Sequence, residues 1–580
     1  IGSDVSVEYL AVYGDNGILR QLITFLGNDL NLQTVLLAVL EFSGNNMSNY
    51  YNMPKLPTEN SPKVEIFVDD KAVMVPGDTN LLEALKAVGI ETPHVCYHPY
   101  LPVSGNCRQC LVEQEGPRGR MLVIACYTPV SPGMKIYTPA SSERVKSARK
   151  ATQEFMLVNH PLDCPICDKA GECTLQENYM EAGQNESRMR PEYGKNYHGN
   201  PAHQFIDSKG QVRGGKRVDI GPRIVLDEER CVQCDRCVRF MRSIAGDEQL
   251  QLASRADHTY ITTFPGEKLD HEYDLCVTDI CPTGAMTGKH FRFQKRVWLL
   301  SRTPSISMDD SLGANIWIDH AEGKVWRLMP RCNPEVNRSW LSNTSRLAYQ
   351  NFLKDRMPAG DVAPIKQTLA KEGKVALVAG GSCTIEDLAA LKLLAEKLGE
   401  RAEIFTGSFV PVLAADGIAK SGDPVANRAG MKLLGLPAGN LEELLKRAGE
   451  FSVLLSVHCD LFENEEAAKT LEVIPEKIAL SAFNNATVKA STVALGVNHW
   501  SEVQGTMVNC NGMLQKLSAA PVSPDAELRP AFSVLAELAE TPLACACEAF
   551  ALAKKMANVL SAYSYETIRS TGVMLDGVQL

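Results

Sequence analysis

The chain has 580 residues, of which 45% are hydrophobic and 22% are charged, and its formal net charge is −10. Because single cores rarely grow beyond about 250–300 residues, this length predicts several domains. The acidic balance argues against a nucleic-acid-binding protein, which normally presents a basic face, so we expect protein partners instead.

Residues 1–63 form an N-terminal extension whose role the sequence does not define. Residues 1–52 contain one basic residue, Arg20, and five acidic ones, which matches neither a secretory signal nor an Arg-rich transit peptide. The best apolar run, residues 35–40, is far shorter than the roughly 18 residues that a membrane-spanning helix needs. We therefore expect no direct membrane span and a cytoplasmic location.

Residues 64–140 have the pattern of a ferredoxin-like β-grasp domain. Alternating apolar residues predict strands at 64–68 and 72–75, joined by a tight turn. A helix with an apolar stripe follows Asn80, which forms a predicted capping box with Glu83. A hairpin, a helix and then a cysteine-rich loop is the order expected of this fold.

The cysteine-rich part of this domain predicts a [2Fe–2S] site. Its four cysteines are spaced C-x10-C-x2-C-x15-C, and four thiolates on this kind of fold suit such a cluster. Gly105 precedes the tight C-x2-C loop and lets backbone amides approach an anionic cluster. The spacing differs from the plant-type pattern, so the loop geometry is left open. The predicted ligands are Cys96, Cys107, Cys110 and Cys126.

A second set of ligands, in a segment assigned to residues 141–181, follows an amphipathic helix predicted at 142–159. The helix is expected to stop at His160, because the proline after it disfavours a helical residue. The motif H-x3-C-x2-C-x5-C offers one imidazole and three thiolates to an iron–sulfur cluster. The alternative is that His160 only caps the helix, which would leave three cysteines without a fourth ligand. The predicted ligands are His160, Cys164, Cys167 and Cys173.

The third set lies in residues 182–300, after a polar connection at 182–216. A two-cluster ferredoxin repeats C-x2-C-x2-C-x3-C-P, and each fourth cysteine serves the other cluster. In this chain one of the two sets has lost its thiolates, at Met241, His271, Asp274 and Val277. One cluster is therefore expected to be absent, while Cys281 completes the other. The predicted ligands are Cys231, Cys234, Cys237 and Cys281.

The chain has 18 cysteines, which also allows disulfides in a secreted protein. The ligand spacings and the lack of signal features favour metal in a reducing compartment instead. Cys276 lies one residue out of register with the third motif, and we interpret it as a free buried thiol. The remaining cysteines are interpreted as core thiols, and they are Cys332, Cys383, Cys459, Cys510, Cys545 and Cys547.

Residues 301–580 alternate between strands and helices and predict a doubly wound α/β domain. A strand at 374–379 turns at Gly380, and a helix capped by Thr384 follows at 385–398. Further strands are predicted at 402–405, 452–457 and 477–481. The sequence has no G-x-G-x-x-G after a strand, so we expect no nicotinamide or flavin site on this chain. No catalytic residues are predicted.

The three ligand motifs in this order resemble the large iron–sulfur subunit of respiratory complex I, an NADH:quinone oxidoreductase. The stretch Asp-Ile-Cys-Pro-Thr-Gly-Ala at 279–285 adds to the resemblance, which covers about residues 64–580. After residue 297 the chain is similar to a shortened molybdopterin-oxidoreductase domain, as at 325–328 and 333–337. The resemblance implies a [2Fe–2S] cluster on the first set of ligands and a [4Fe–4S] cluster on each of the other two.

Some members of this family carry a further cluster motif just after the third set. The corresponding positions lack a thiolate set, so no fourth cluster is expected, and they are Ser307, Asp310, Ala314 and Ser342. A molybdenum enzyme of this superfamily also needs a longer domain and a cysteine or selenocysteine at the metal. We therefore expect no molybdopterin and interpret the C-terminal domain as a scaffold.

The resemblance implies a membrane-associated respiratory-chain subunit that relays electrons from an NADH-oxidising flavin subunit towards quinone. The implied partners are the flavin subunit and other peripheral-arm subunits, at the cytoplasmic face of the bacterial inner membrane. In this interpretation electrons enter near the second or third cluster and leave through the third, and the first is a side cluster. The alternatives are an iron–sulfur diaphorase subunit of an NAD-linked hydrogenase or formate dehydrogenase, a catalytic iron hydrogenase, and a scaffold with vestigial motifs.

Overall fold

The computed structural model describes residues 53–158, 160–184, 205–206, 212–213, 215–255 and 259–575. The chain forms two compact units, each built from segments that are separated in sequence. The first unit comprises Ile1–Leu162, Thr174–Gly215 and Glu228–Phe264, and the second comprises Asp163–Cys173, Lys216–Asp227 and Pro265–Leu580. The expected N-terminal extension and polar connection lie largely outside the described residues. The division into five domains stays a prediction.

A five-stranded sheet forms the framework of the first unit. Its strands are β1 (Lys63–Val68), β2 (Lys71–Pro76), β3 (Leu111–Gly116), β4 (Gly119–Ile124) and β5 (Lys135–Tyr137), in the order β2-β1-β5-β3-β4. The β1–β2 hairpin turns at Asp69 and Asp70, whose φ angles are 51° and 62°. Aspartate tolerates such positive φ angles better than most residues do. The β1 and β5 strands are parallel, and the other neighbouring strands are antiparallel. The predicted hairpin is confirmed.

The helices of the first unit are α1 (Leu81–Ala87), α2 (Glu143–Leu157), α3 (Thr174–Ala182) and α4 (Arg236–Phe240). Of these, α1 packs against β2 and α2 packs against β3. Asn80 caps α1 by accepting a hydrogen bond of 3.0 Å from the amide of Glu83. The carboxylate of Glu83 accepts from the hydroxyl of Tyr97 at 2.8 Å. The predicted capping box is therefore half formed, because Glu83 bonds to a more distant side chain. The first unit also contains a π-helical turn, Met241–Ala245. Its short strands are Phe205–Ile206, Val212–Arg213, Leu250–Ala253 and Tyr260–Thr263.

Two small antiparallel sheets belong to the first part of the second unit. One consists of Val218–Asp219, Ile224–Leu226 and Met286–Gly288, and the other of β6 (Ser301–Ile306), β7 (Asn315–Ala321) and β8 (Lys324–Pro330). Ile316 and Ile318 of β7 pack with Leu328 of β8 in a common core. The short helices here are α5 (Cys276–Ile280) and α6 (Asn343–Leu347).

A parallel sheet forms the centre of the C-terminal part of the second unit. Its strands are β9 (Lys374–Gly380), β10 (Ala402–Gly407), β11 (Phe451–Val457), β12 (Glu476–Ser481) and β13 (Val493–Gly496), in the order β10-β9-β11-β12-β13. Val375 and Leu377 of β9 enter one core, while Ala376 and Val378 enter another. Both faces are buried, as is usual where crossover helices cover a parallel sheet. The predicted α/β alternation is confirmed, and β13 is an additional strand.

The helices of this region are α7 (Ala363–Leu369), α8 (Ile385–Leu398), α9 (Arg428–Leu433), α10 (Leu441–Lys446), α11 (Glu465–Leu471), α12 (Ala486–Ala490), α13 (Ala531–Leu538) and α14 (Ala546–Met556). A last antiparallel sheet contains β14 (Gly505–Val508), β15 (Met513–Leu517) and β16 (Val573–Met574). Within the described part of the chain, no helix has the length and apolar content that crossing a membrane requires.

The interpretation of the scattered cysteines as core thiols is wrong for four of them. Cys545 and Cys547 form a disulfide at the start of α14. The extended backbone at Cys545, with φ −149° and ψ 164°, keeps it outside the helix and within reach of Cys547. Cys332 and Cys510 are exposed, whereas Cys383 is buried as predicted.

Candidate iron–sulfur sites

A hairpin of the first unit brings two of the predicted ligands together. Cys110 directly precedes β3, and Cys126 follows β4 in a 3-10 turn, Ala125–Tyr127. The strand register pairs Leu111 with Ile124, and the amide of Ala125 donates to the carbonyl of Cys110 at 3.0 Å. Two cysteines with 15 residues between them in the motif therefore become neighbours.

The four thiols of the first set interact in two pairs. The interaction between Cys96 and Cys107 lowers the pKa of Cys107 to about 6 and raises the pKa of Cys96. The interaction between Cys110 and Cys126 likewise lowers the pKa of Cys110 and raises that of Cys126. Cys96, Cys110 and Cys126 are buried, and Cys107 is partly exposed. The structure therefore brings all four predicted residues together, because Cys126 also lies close enough to feel the charge of Cys96 and Cys107.

The backbone of the ligand loop has a conformation that lets its amides approach a bound cluster closely, as expected from the glycine at position 105. Gly105 has a φ angle of +66°, and a Cβ atom there would lie 2.9 Å from Cδ1 of Ile124. Arg108 also has a positive φ angle, 58°, and the amide of Gln109 donates to the thiol of Cys107. Amides and thiols are thus directed into the same space, which suits an anionic cluster.

Arg149 of α2 is a residue of this site that sequence reasoning missed. Its Nε donates to the carbonyl of Leu111 at 2.8 Å. Burial lowers the pKa of Arg149 to about 10, although the negative charge of Cys110 opposes this shift. The arginine lies 39 residues after Cys110 in the sequence, so no local spacing signals it.

The pairing of thiols fits a two-iron cluster better than a single metal ion. No group of three or more His, Cys, Asp or Glu side chains within the described residues is arranged to hold one metal ion. A [2Fe–2S] cluster does not need such a group, because each of its two irons takes two protein ligands. The pairs Cys96–Cys107 and Cys110–Cys126 would offer two ligands to each iron of such a cluster.

The second set of ligands is divided between the two units. His160 belongs to the first unit, where α2 ends at Leu157 and the amide of His160 donates to the carbonyl of Leu157 at 3.2 Å. Cys164, Cys167 and Cys173 belong to the second unit. The grouping of the imidazole with these thiols therefore stays a prediction.

Side chains of the second unit hold the loop that carries these three cysteines. Arg296 donates to the carbonyl of Cys167 at 2.6 Å and also to that of Pro165. Lys169 donates to the carbonyl of Thr278 at 3.1 Å. Further along, the thiol of Cys173 donates to the carbonyl of Pro282 at 3.4 Å. Cys173 of the second set therefore lies beside Pro282, which directly follows Cys281 of the third set.

The third set is also divided between the units. Cys231, Cys234 and Cys237 belong to the first unit, and Cys281 belongs to the second. The coil between the first three turns through Gln233 and Asp235, whose φ angles are 53° and 56°. The amide of Gln233 donates to the sulfur of Cys231 at 3.4 Å, a contact that favours an anionic sulfur.

The positions that lost their thiolates now have other structural roles. Arg223 donates to both carboxylate oxygens of Asp274 at 3.0 Å. Val277 is fully buried. Cys276 is buried as well, its thiol donates to the carbonyl of Leu341 at 3.3 Å, and burial raises its pKa to about 12. The prediction that Cys276 is a buried thiol is confirmed.

The positions of the possible fourth motif are likewise engaged in hydrogen bonds or packing. The hydroxyl of Ser307 donates to Asp309, and the carboxylate of Asp310 accepts from the amide of Leu312 at 3.0 Å. Ser342 caps α6, and Ala314 is buried. Residues 300–350 contain a single cysteine, Cys332, so they cannot supply a thiolate set.

Four segments of the chain match known protein families. Residues 61–141 match the family described as "2Fe-2S iron-sulfur cluster binding domain". Residues 149–188 match "NADH-ubiquinone oxidoreductase-G iron-sulfur binding region", and residues 221–287 match "NADH-quinone oxidoreductase subunit 3, ferredoxin-like domain". Residues 300–350 match "NADH-ubiquinone oxidoreductase NDSU1/NuoG-like, 4Fe-4S domain". Each predicted ligand set lies wholly within one of the first three matches.

The G subunit of the NADH-quinone oxidoreductase of Rickettsia felis is 35% identical over 353 residues, which cover 58% of this chain and 49% of that protein. The chain is a homologue of this NADH-quinone oxidoreductase component. The mitochondrial NADH-ubiquinone oxidoreductase 78 kDa subunit of Neurospora crassa is 36% identical over 356 residues, which cover 58% of this chain and 45% of that protein. The chain spans about half the length of the curated relatives it matches.

A solved structure also resembles part of the chain. It is a chain of the "Crystal structure of NAD+-reducing [NiFe]-hydrogenase in the H2-reduced state". The two are 27% identical, with a TM-score of 0.32, and the match covers 40% of this chain and 91% of the hydrogenase chain.

Proposed function

We propose that this chain is an electron-transfer subunit of an NADH:quinone oxidoreductase, relaying electrons from an NADH-oxidising flavin subunit towards quinone. The observation that carries the proposal is the convergence of four thiols, three of them buried, inside the segment that matches a [2Fe–2S]-binding domain. Homology to the NADH-quinone oxidoreductase component of Rickettsia felis supports the wider role. Bound iron–sulfur clusters would supply one-electron chemistry.

The proposed ligands form one [2Fe–2S] site and two [4Fe–4S] sites. The first site takes Cys96 and Cys107 on one iron and Cys110 and Cys126 on the other, as the thiol pairs suggest. The second site takes His160, Cys164, Cys167 and Cys173, and the third takes Cys231, Cys234, Cys237 and Cys281. No fourth cluster and no molybdopterin are proposed.

Contacts inside each unit place members of different ligand sets beside each other. In the first unit Cys96 of the first set packs with Cys234 of the third. In the second unit Cys173 of the second set bonds to Pro282, next to Cys281 of the third. In the proposed relay, electrons enter near the second or third cluster and leave through the third, and the first is a side cluster.

The remaining parts of the proposal concern assembly. We place the chain in the peripheral arm, at the cytoplasmic face of the membrane, with the flavin subunit and other peripheral-arm subunits as partners. The domains proposed are residues 64–140 and 141–181 for the first two sites, 182–300 for the third, and 301–580 as a scaffold. This division rests on the motifs and on the family matches at 61–141, 149–188 and 221–287.

Metal content tests the proposal directly. The protein, purified with its partners, should contain about ten iron atoms per chain, because the proposal assigns one two-iron site and two four-iron sites to it. Acid-labile sulfide should be found in the same amount. Iron near zero in protein isolated under exclusion of oxygen would reject the electron-transfer role.

The His160→Ala variant tests the least common ligand. It should remove or alter only the second [4Fe–4S] signal in electron paramagnetic resonance, because the other two sets keep four thiolates. Cys276→Ala is the matched control, since Cys276 is a buried cysteine close in sequence to Cys281 whose thiol donates to a carbonyl. All three signals should survive in the control. If they also survive unchanged in His160→Ala, His160 is a helix cap and the second set is wrong.

A further inference from the structure

The loops that carry the first and third ligand sets pack together within the first unit. The hydroxyl of Ser104 donates to the carboxylate of Asp235 at 2.8 Å, and the amide side chain of Asn106 donates to the carbonyl of Gln233 at 3.3 Å. Cys96 and Cys234 belong to one small hydrophobic cluster. These loops are separated by more than a hundred residues in sequence, so their contact is a property of the fold.

Arg239 joins the two loops through a single guanidinium group. Its Nη2 donates to the carbonyl of Cys96 at 2.5 Å and to the carbonyl of Cys234 at 3.2 Å. Its Nη1 donates to the carbonyl of Pro102, and its Nε donates to Asp235 at 2.6 Å. One nitrogen therefore contacts a ligand of the first set and a ligand of the third. The planar, rigid fork of arginine makes such a multiple contact specific.

Arg236 adds a second positive charge at the same junction. Its side chain is buried and donates to the carbonyl of Tyr97, the residue after Cys96. Arg236 directly precedes Cys237 of the third set and follows Cys234 by two residues. Its guanidinium group therefore connects the third ligand loop to the residue after Cys96. A buried arginine normally needs compensating negative charge.

We propose that Arg236 and Arg239 form a joint between the first and third ligand loops, in which Arg239, paired with Asp235, fixes the separation of the two clusters and the charge of Arg236 favours the reduced form of both. The inference rests on the proposed function, because it requires a cluster on each ligand set. A reduced cluster carries one more negative charge than an oxidised one, so a nearby guanidinium group stabilises the reduced form more. Solvent and salt screen this effect only weakly, because both side chains are largely buried.

Redox titration of the assembled complex, followed by electron paramagnetic resonance, tests the joint. Arg236→Gln should lower the midpoint potentials of the first and third signals. The equilibrium constant for reduction should fall at least tenfold, which corresponds to a shift of about 59 mV for one electron. The second signal should not move. Arg236→Lys keeps the charge and should restore both midpoints.

Arg239→Lys tests the positioning role separately from charge. A lysine ammonium group keeps the positive charge but lacks the planar fork, so it cannot reproduce the set of contacts made by Arg239. The midpoints should stay close to those of the wild type, while the magnetic interaction between the two reduced clusters changes. Arg242→Gln is the control, because Arg242 is an exposed arginine of the same segment that pairs with Glu248 at 3.4 Å.

The outcomes separate this inference from the proposed function. Absence of both signals from the wild-type complex would contradict the clusters themselves. Signals present with unchanged midpoints in Arg236→Gln would contradict the joint alone. If Arg236→Gln takes up no iron, the Arg236→Lys variant tests the joint instead. Normal iron content and normal midpoint potentials in Arg236→Lys support the role of the positive charge. Failure of Arg236→Lys to bind iron as well overturns the proposed joint.

Discussion

Glu386 is a fully buried carboxylic acid in the first turn of α8. Its oxygens accept hydrogen bonds from the amide of Thr506 at 2.8 Å, from the hydroxyl of Thr506 at 2.9 Å and from the hydroxyl of Tyr565 at 2.6 Å. Burial raises the pKa of Glu386 to about 7, although these hydrogen bonds favour the charged form. The cost of desolvation therefore exceeds the gain from the three donors.

This raised pKa predicts that Glu386 makes stability depend on pH. The folded pKa lies above the ordinary value of 4.5, so the folded state holds a proton that the unfolded state releases. The contribution of Glu386 to stability is therefore full below pH 4.5 and is lost as the pH rises through about 7. It amounts to about 3 kcal/mol. The urea midpoint measured from pH 5 to pH 8 should fall less steeply in Glu386→Gln than in the wild type.

Glu396 provides the matched control for this measurement, because it is an exposed glutamate on the same helix. Glu396→Gln should reproduce the wild-type pH dependence. If Glu386→Gln and the wild type also have parallel pH profiles, Glu386 does not titrate in this range in the folded protein.

Ligand residues could be predicted at the residue scale, whereas the charged groups around them could not. Four-residue sets such as that of Cys96 have spacings that identify them within the sequence. Arg239 contacts the carbonyl of Cys96 across 143 positions, and Arg149 contacts the carbonyl of Leu111 across 38. An arginine has no spacing signature, because its long side chain reaches any carbonyl that the fold brings near.

At the scale of elements, the loop before β3 depends on a glycine. Gly105 has a φ angle of +66°, and a Cβ atom there would lie 2.9 Å from Cδ1 of Ile124, which would have to shift. Gly105→Ala should cost about 1–2 kcal/mol in backbone strain alone, because an L-residue is unfavourable in the left-handed region. The loop with Cys107 should shift as well. The expected result is a weaker [2Fe–2S] signal per chain, measured by electron paramagnetic resonance.

Gly89→Ala is the control for this loop. Gly89 also has a positive φ angle, +78°, but a Cβ atom there would meet no other atom within 4 Å. The two variants share the backbone strain, and only Gly105→Ala crowds the ligand loop. An equal loss of the [2Fe–2S] signal in both would show that general instability, not the shape of the loop, controls cluster binding.

Elements with strong local signals could be predicted closely, and those set by distant contacts could not. Helix α8 spans the predicted residues, because Thr384 and Asp387 form a complete capping box at its start. The capping box of α1 is only half formed, since Glu83 bonds to Tyr97 from the cysteine loop. The order of strands in both five-stranded sheets also depends on contacts that a single sequence pattern does not contain.

On the scale of the whole molecule, the two units differ in what fills their interiors. In the first unit the cluster ligands Cys110 and Cys126 are part of the main hydrophobic core. In the second unit the core beside the parallel sheet consists of apolar side chains such as Val375 and Leu377, which are far from any predicted ligand in the sequence. Cluster binding should therefore stabilise the two interiors to different extents, because a ligand stabilises the structure that it binds.

Removal of iron should expose this difference in hydrogen exchange. Amides of β3 and β4 should exchange at least about tenfold faster in the iron-free protein, which corresponds to a loss of about 1.4 kcal/mol in local opening free energy. Amides of β9 and β11 should keep their rates, because apolar packing on both faces protects them. The β1–β2 hairpin is the internal comparison, since it shares the first sheet but contains no ligand. Equal acceleration in β9 and β3 would mean that the clusters stabilise the whole chain as one cooperative body. No acceleration in β3 would mean that the four thiols hold their arrangement without iron.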